Sequence, residues 1–116
     1  MENIIQQIAE KLIHKILERA YSGGISDIDA LSSDVLGDCR EAAIGIVEAI
    51  TAGLNQQIRD DKERRKAEGL VLKERERERS LLTELGRLNI PRDYYYDKEK
   101  DRYVYLLDHM IGLRGL

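Results

Sequence analysis

The sequence predicts an α+β fold in which two amphipathic helical segments precede an antiparallel β-hairpin or meander. Apolar residues recur every three to four positions through the first half of the chain. A charged Glu/Arg repeat, a glycine turn and a cluster of tyrosines follow. We therefore expect a helical region over residues 1–68 and a charged hairpin with a tyrosine-rich segment over residues 69–116. A chain of 116 residues can form one modest core, so the two regions are expected to pack as one domain.

The first predicted helix covers residues 2–21. Its apolar side chains follow the spacing of a single helical face, with polar residues largely on the opposite side. The segment Ser22-Gly23-Gly24 predicts the end of this helix, because adjacent glycines weaken a helix and permit a C-cap. The apolar positions are Ile4, Ile5, Ile8, Leu12, Ile13, Ile16, Leu17 and Ala20.

The second predicted helix covers residues 27–68. Ser26 and Asp27 are both suitable N-caps, and a broad apolar stripe follows as far as Leu54. The pattern then becomes polar, which is typical of the exposed end of the same helix, and Gly69 is the expected terminator. Because Cys39 falls on the apolar stripe, we expect it to be a small buried hydrophobic residue.

Three glycines, at positions 37, 45 and 53, fall on roughly one face of the second helix. Two interpretations stay open. The glycines are simply tolerated, at about 1 kcal/mol each relative to alanine. Alternatively, they form a strip of small residues where another helix comes close.

Residues 70–79 are compatible with two structures. As a helix, the repeat would form solvated Glu–Arg pairs. As a strand, alternation would place Glu74, Glu76 and Glu78 on one face. The other face would then carry Lys73, Arg75, Arg77 and Arg79.

The segment after Gly86 has the pattern of strands. Residues 87–96 alternate before ending in three tyrosines, and Pro91 belongs at an edge or a bulge because it cannot donate to a ladder. Residues 97–102 form a predicted polar turn, and residues 103–107 are expected to resume an extended structure. One helical turn is the expected structure of residues 108–113.

Three segments near the C-terminus carry a resemblance to a known family. Thr83-Glu84-Leu85-Gly86 is similar to a T-x-x-G turn, and residues 92–98 are similar to an arginine–aromatic strand end. Residues 103–113 are similar to a Y-x-Y-L-L-D…GL stretch. Together, over about residues 83–113, the chain resembles the amino-terminal region of the insertion-sequence Lre-type transposases, a family of bacterial proteins. The resemblance implies a hairpin of Leu70–Leu82 with Arg87–Tyr96 around the glycine turn.

The resemblance also implies that the acidic residues holding the catalytic metal lie downstream of this region. We therefore predict no enzymatic activity, catalytic residue or cofactor for this chain. Asp93, Asp97, Asp101 and Asp108 with His109 lack the central glycine and terminal glutamate of a calcium loop, so we interpret them as solvated turn acids and predict no metal site. His14 fits a residue at the boundary of the core.

Charge and composition restrict the partners. Residues 1–55 contain four basic and nine acidic residues, whereas residues 56–116 contain fifteen basic and thirteen acidic ones. Any contact with a polyanion is therefore expected in the second half. The single cysteine, the absence of a signal-peptide pattern and the lack of a long apolar run predict a soluble cytoplasmic protein with no membrane contact. Self-association through the amphipathic helices is expected.

The candidate DNA contacts are basic residues of the hairpin, and the tyrosines form a candidate aromatic cluster. The tyrosines are candidates either for cross-strand packing or for stacking on bases, and the basic residues either for phosphate contacts or for a solvated edge strand. The expected function is a non-catalytic accessory domain of a transposase-like protein, for dimerisation or DNA docking. The alternative is a free-standing protein-interaction module of mobile-element or phage origin. The apolar segment close to Leu116 leads us to expect that the native protein continues. The basic residues are Lys73, Arg75, Arg77, Arg79, Arg87 and Arg92, and the tyrosines are Tyr94, Tyr95, Tyr96, Tyr103 and Tyr105.

Overall fold

The computed structural model describes residues 2–22 and 27–113 and begins with two antiparallel helices. Helix α1 covers Glu2–Tyr21 and helix α2 covers Ile28–Asp60. The Asp27 carboxylate accepts a hydrogen bond from the Ala30 backbone N–H at 2.6 Å, which confirms Asp27 as the N-cap. The predicted stop at Gly23 and Gly24 lies outside the described residues.

The prediction of one unbroken helix over residues 27–68 is wrong at Asp61. Helix α2 ends at Asp60, and a short helix, α3, covers Lys62–Ala67. Asp61 leaves the helical conformation and caps α3, accepting a bond from the Arg64 N–H. The Arg65 guanidinium donates to the Arg59 carbonyl oxygen at 2.8 Å, which satisfies a carbonyl that the break leaves without its helical partner.

A three-stranded antiparallel sheet follows the helices, which confirms the predicted α+β class. Strand β1 covers Leu70–Thr83, β2 covers Gly86–Asp97 and β3 covers Arg102–Val104, in the spatial order β1-β2-β3. The Thr83 hydroxyl donates to the Gly86 carbonyl oxygen and accepts from the Leu85 N–H across the predicted turn. Pro91 pairs with β1 only, so its missing N–H leaves no gap in the β2–β3 ladder.

Strict alternation along β1 is wrong, because two register shifts interrupt it. The first lies between Leu72 and Glu74, and the second between Glu74 and Arg77. Each shift adds one residue to β1 relative to β2, as in a β-bulge. Glu76, within the second shift, has a φ of 55°, in the left-handed region. The acidic and basic residues of the repeat therefore do not separate cleanly onto two faces.

The prediction that residues 103–107 are extended is wrong after Val104. A fourth helix, α4, covers Leu106–Met110. Its turn buries the Leu107 side chain, which is 1% exposed and packs with Leu88 and Ile90 of β2. A continued strand would alternate its side chains between faces, whereas the helical turn directs Leu107 into the core.

The core is small and lies where α2, β2 and α4 meet. Leu88, Ile90 and Leu107 are its buried centre, and partly buried side chains surround them. Within the described ranges, no helix is both long and apolar enough to cross a membrane. The surrounding side chains are Ile44, Val47, Leu54, Ile58, Leu81 and Ile111.

Candidate nucleic-acid interface

Four tyrosines form one aromatic cluster on the sheet, called here the tyrosine face: Tyr94, Tyr96, Tyr103 and Tyr105. The rings of Tyr94 and Tyr103 stack at 5.1 Å between centroids with planes 10° apart. Tyr105 is 4.8 Å from Tyr94, and Tyr96 is 5.2 Å from Tyr103. Tyr103 keeps 55% of its surface exposed, so the cluster offers aromatic area to solvent.

Two basic side chains from β1 border the tyrosine face. The Arg77 guanidinium lies 4.6 Å from the centroid of the Tyr94 ring, and the Lys73 ammonium lies 6.0 Å from that of Tyr96. Arg77 is 42% exposed and also lies 3.4 Å from the Glu74 carboxylate. Arg75, between them in the chain, is exposed as well. Three predicted DNA-contact residues therefore lie on the strand beside the aromatic cluster, with Arg77 and Lys73 against its rings.

The other predicted basic residues are engaged by protein groups or lie away from the tyrosine face. The guanidinium of Arg92 lies 3.6 Å from the Tyr105 ring centroid, but its Nη1 donates to Asp108 at 2.7 Å and its side chain is only 11% exposed. Arg79 approaches the same carboxylate at 3.7 Å and is 14% exposed. Arg87 is exposed near the hairpin turn, where it donates to the Ser80 hydroxyl. Arg79 and Arg92 thus hold α4 against the sheet.

A buried ionic network lies on the opposite side of β2 from Tyr94 and Tyr96. The Asp93 carboxylate is fully buried and accepts bonds from Arg59 Nε at 2.6 Å and Arg59 Nη2 at 2.8 Å. It also accepts from the Asn55 amide at 3.1 Å and from the Glu76 backbone N–H at 3.0 Å. The Asn55 side-chain oxygen in turn accepts from the Asp93 N–H at 2.9 Å.

This network joins α2, β1 and β2 at one point. Asn55 and Arg59 are four residues apart and lie on the same side of α2. The register shift around Glu76 turns its N–H toward Asp93. Because successive side chains of a strand point to opposite faces, burial of Asp93 and Tyr95 directs Tyr94 and Tyr96 outward. The network therefore sets the orientation of the tyrosine face.

The environment of Asp93 keeps it ionised. Burial disfavours its charge, but the bonds from Arg59, Glu76 and Asn55 outweigh burial, so its pKa lies below the ordinary value of 3.8. Arg59 Nη2, the Asn55 amide and the Glu76 N–H donate to Oδ1, whereas Arg59 Nε and, at 3.5 Å, the Tyr95 hydroxyl donate to Oδ2. Both oxygens of Asp93 are therefore engaged by donors from α2, β1 and β2, which join these elements.

Comparison with known proteins identifies the family to which the chain belongs. A family model described as Uncharacterised protein family (UPF0236) matches residues 23–115. The chain belongs to UPF0236. No solved structure matches the chain.

Curated relatives of this UPF0236 chain come from Caldanaerobacter subterraneus subsp. tengcongensis. One UPF0236 protein is 44% identical over 69 residues, which cover 60% of this chain and 14% of the relative. Another is 43% identical over 81 residues, which cover 70% of this chain and 16% of the relative. The chain thus spans about a seventh of the length of the first relative.

Sequence reasoning misplaced two acidic residues of this UPF0236 chain. Asp93 and Asp108 are not solvated turn acids: Asp93 is fully buried and the Asp108 side chain is 18% exposed. Their partners Arg59 and Arg92 lie 34 and 16 positions away in the chain. Asn55 and Arg59 could have given a signal, because they form a polar pair four residues apart beside the apolar stripe of α2.

Two further residues differ from their expected surroundings. Cys39 is exposed, so its predicted burial is wrong. His14 is exposed on α1. Among residues 2–22 and 27–113, no group of His, Cys, Asp and Glu side chains is arranged to hold a metal ion.

Tyr95 should give this UPF0236 chain a distinctive alkaline transition. Burial and the nearby Asp93 carboxylate raise its pKa from 10.0 to about 12. Because the folded pKa is raised, the resulting stability is fully present below pH 10.0 and is lost as the pH rises through about 12. Tyrosinate absorbance should show a late step at about pH 12 that Tyr95→Phe removes. An unchanged titration in Tyr95→Phe would contradict this assignment, and Tyr21→Phe, which alters an exposed tyrosine, is the control.

Proposed function

We propose that this chain is a non-catalytic, amino-terminal accessory region of a larger transposase-like protein and that it docks DNA through the tyrosine face. The observation that carries the proposal is the cluster of Tyr94, Tyr96, Tyr103 and Tyr105 bordered by Lys73 and Arg77. Aromatic side chains in a basic setting are how proteins without base-specific contacts hold unpaired nucleotides.

The contacts of the tyrosine face suit a nucleic acid in two ways. The exposed ring of Tyr103 offers a surface on which a base can stack, because every base has a π-face. The exposed side chains of Lys73, Arg75 and Arg77 offer charge to phosphates along the same strand. The excess of basic over acidic residues in 56–116 also favours contact with a polyanion.

Two observations support an accessory role within a longer protein. The chain spans about a seventh of the length of a curated relative. The resemblance of residues 83–113 to the Lre-type transposases implies that metal-binding acidic residues belong to a separate, downstream part of such a protein. DNA docking near a catalytic region would raise the local concentration of its substrate.

The test is fluorescence anisotropy with a labelled single-stranded oligonucleotide and with the duplex of the same sequence, over a series of salt concentrations. Tyr103→Ala should weaken binding by roughly 5- to 150-fold, corresponding to the loss of about 1–3 kcal/mol of stacking. Arg77→Gln should weaken binding and lower the salt slope by about 1. Arg77→Lys should retain the salt slope but lose the contact of the guanidinium with the Tyr94 ring.

Two matched controls locate the interface. Arg40→Gln makes the same charge change on an exposed position of α2 and should leave affinity unchanged. Arg87 lies roughly 25 Å along the hairpin from the tyrosines. If DNA docks at the tyrosine face alone, Arg87→Gln should leave the affinity unchanged. If DNA contacts the whole hairpin, the same variant should weaken binding. Absence of binding to both oligonucleotides at low salt would overturn DNA docking and favour a protein-interaction module.

A further inference from the structure

An acidic side chain, Glu74, lies on the tyrosine face. Glu74 stands opposite Tyr94 in the pairing of β1 with β2, and directly opposed residues of antiparallel strands have their side chains on the same face. The Glu74 carboxylate lies 3.4 Å from Nε of Arg77, whose guanidinium lies 4.6 Å from the centroid of the Tyr94 ring. An internal negative charge is therefore paired with a cation that borders the tyrosine face.

The contact between Glu74 and Arg77 depends on the second register shift of β1. In a regular strand, residues three positions apart point to opposite faces. Here Glu74 pairs with Tyr94. Arg77 pairs with Arg92, so three steps along β1 oppose two steps along β2. The added residue, as in a β-bulge, places Glu74 and Arg77 on the same face. The ion pair is thus a product of the bulge, which a regular strand of the same sequence would not form.

The Glu74–Arg77 pair is exposed to solvent and can be exchanged for another anion. The Glu74 side chain is 59% exposed and the Arg77 side chain is 42% exposed, and exposed pairs of this kind stabilise a fold little. A guanidinium binds carboxylates and phosphates in the same way, through its charge and its fork of N–H donors. The Glu74 carboxylate and a phosphate would therefore compete for Arg77.

Arg77 offers an accessible guanidinium beside the stacked rings, whereas Arg92 does not. Arg92 lies 3.6 Å from the Tyr105 ring centroid, but its side chain is 11% exposed and already donates to Asp108. A phosphate that binds next to the rings is therefore expected at Arg77. While Glu74 is paired with Arg77, the two opposite charges largely cancel at a distance. The state of this one pair consequently determines how much charge the tyrosine face presents.

We infer that Glu74 is an internal competitor for the phosphate of a DNA strand: its carboxylate occupies Arg77 in the free chain and gives way to a phosphate on binding. The inference rests on the proposed docking of DNA at the tyrosine face and adds the group that limits its affinity. Because the exchange replaces one anion by another at Arg77, it adds little to binding by itself. Stacking of a base on the exposed ring of Tyr103 supplies the larger contribution.

The first test measures the affinity of Glu74→Gln for the labelled single-stranded oligonucleotide by fluorescence anisotropy. Binding should become tighter by roughly 2- to 5-fold, the range expected when an exposed ion pair no longer has to be broken. The salt slope should rise by up to about 1, because Arg77 then neutralises a phosphate without first losing an internal partner. Glu78→Gln makes the same charge change at an exposed position of β1 opposite Pro91, on the other face of the sheet. This control should change the affinity much less, and equal gains in the two variants would overturn the inference while leaving DNA docking in place.

The second test separates competition for Arg77 from simple repulsion between Glu74 and the phosphates. In the Arg77→Gln background, Glu74→Gln should give no gain in affinity, because competition requires the guanidinium. A gain that persists in this background would show repulsion alone and would overturn the inference. Circular dichroism should give the same thermal midpoint for the unmodified chain and Glu74→Gln, since the altered side chain is exposed. Absence of binding by the unmodified chain at low salt would overturn DNA docking itself, and the inference with it.

Discussion

Asp93→Asn should lower the free energy of unfolding by about 3–5 kcal/mol, the cost of removing one partner from a buried ion pair. The Arg59 side chain is 16% exposed and would remain charged beneath the sheet without its carboxylate. The new amide would also direct hydrogens toward the donors of Arg59, Asn55 and Glu76. Urea denaturation followed by circular dichroism should show a lower midpoint with an unchanged slope.

Two companion variants make this result specific. Asp60→Asn removes a carboxylate from an exposed position of α2 and should change stability by no more than about 0.5 kcal/mol. Arg59→Gln combined with Asp93→Asn should cost less than the sum of the two single changes, because neither partner is then left as an unpaired buried charge. A cost below about 1 kcal/mol for Asp93→Asn would match an exposed ion pair instead and would remove the basis for a structural role.

The Asp93 network also links stability to the proposed interface. Its donors come from α2 and from the irregular part of β1, and its acceptor lies next to Tyr94 in β2. Loss of the network would remove the bonds that hold α2 and the irregular part of β1 to β2 beside Tyr94. We therefore expect variants of Asp93 to disturb the tyrosine face without touching a ligand, whereas Tyr103→Ala should affect binding and leave the fold intact.

Local sequence patterns predicted the elements that local interactions determine. The apolar spacing of Ile5, Ile8, Leu12 and Ile16 is sufficient to identify α1, and Asp27 could be identified as an N-cap because capping involves only neighbouring residues. The turn from Thr83 to Gly86 was likewise predictable, since its bonds lie within four residues.

Features that depend on distant partners could not be predicted in this way. Asp93 stands beside a tyrosine run and a polar turn, and its burial depends on Arg59, which lies 34 positions earlier. The second shift in β1 lies where the Glu76 N–H meets that carboxylate, so strict alternation failed there. The Tyr103–Leu107 segment has strand propensity, but burial of Leu107 against Leu88 and Ile90 favours the helical turn of α4.

The sequence predicts that the tyrosines cluster, but it does not predict which four of them share the tyrosine face. Alternation correctly separates Tyr95 from Tyr94 and Tyr96. Only the pairing of β2 with β3, however, brings Tyr103 opposite Tyr96. Similarly, the chain gives no local reason why Arg77 borders the rings while Arg79, two residues later, turns toward Asp108.

Ile90→Ala is the second large effect we expect, at about 2–5 kcal/mol. Ile90 is 2% exposed, and among residues 2–22 and 27–113 the buried centre of its core contains two other side chains, Leu88 and Leu107. A cavity there removes contacts from α2, β2 and α4 at once, and few neighbours can move to fill it. Leu82→Ala, at a position 80% exposed, is the matched control and should cost less than about 0.5 kcal/mol.

The same variant tests whether the helices and the hairpin unfold together. Circular dichroism reports mainly on α1 and α2, whereas tyrosine fluorescence reports mainly on the hairpin, because five of the six tyrosines lie between positions 94 and 105 and tryptophan is absent. If the small core makes the helices and the hairpin unfold together, Ile90→Ala should shift the circular dichroism and fluorescence transitions by the same amount. The two transitions should then remain coincident. A fluorescence transition that shifts while the helical signal does not would show two separately folding units. The sheet would then be held on α2 chiefly by the Asp93 network.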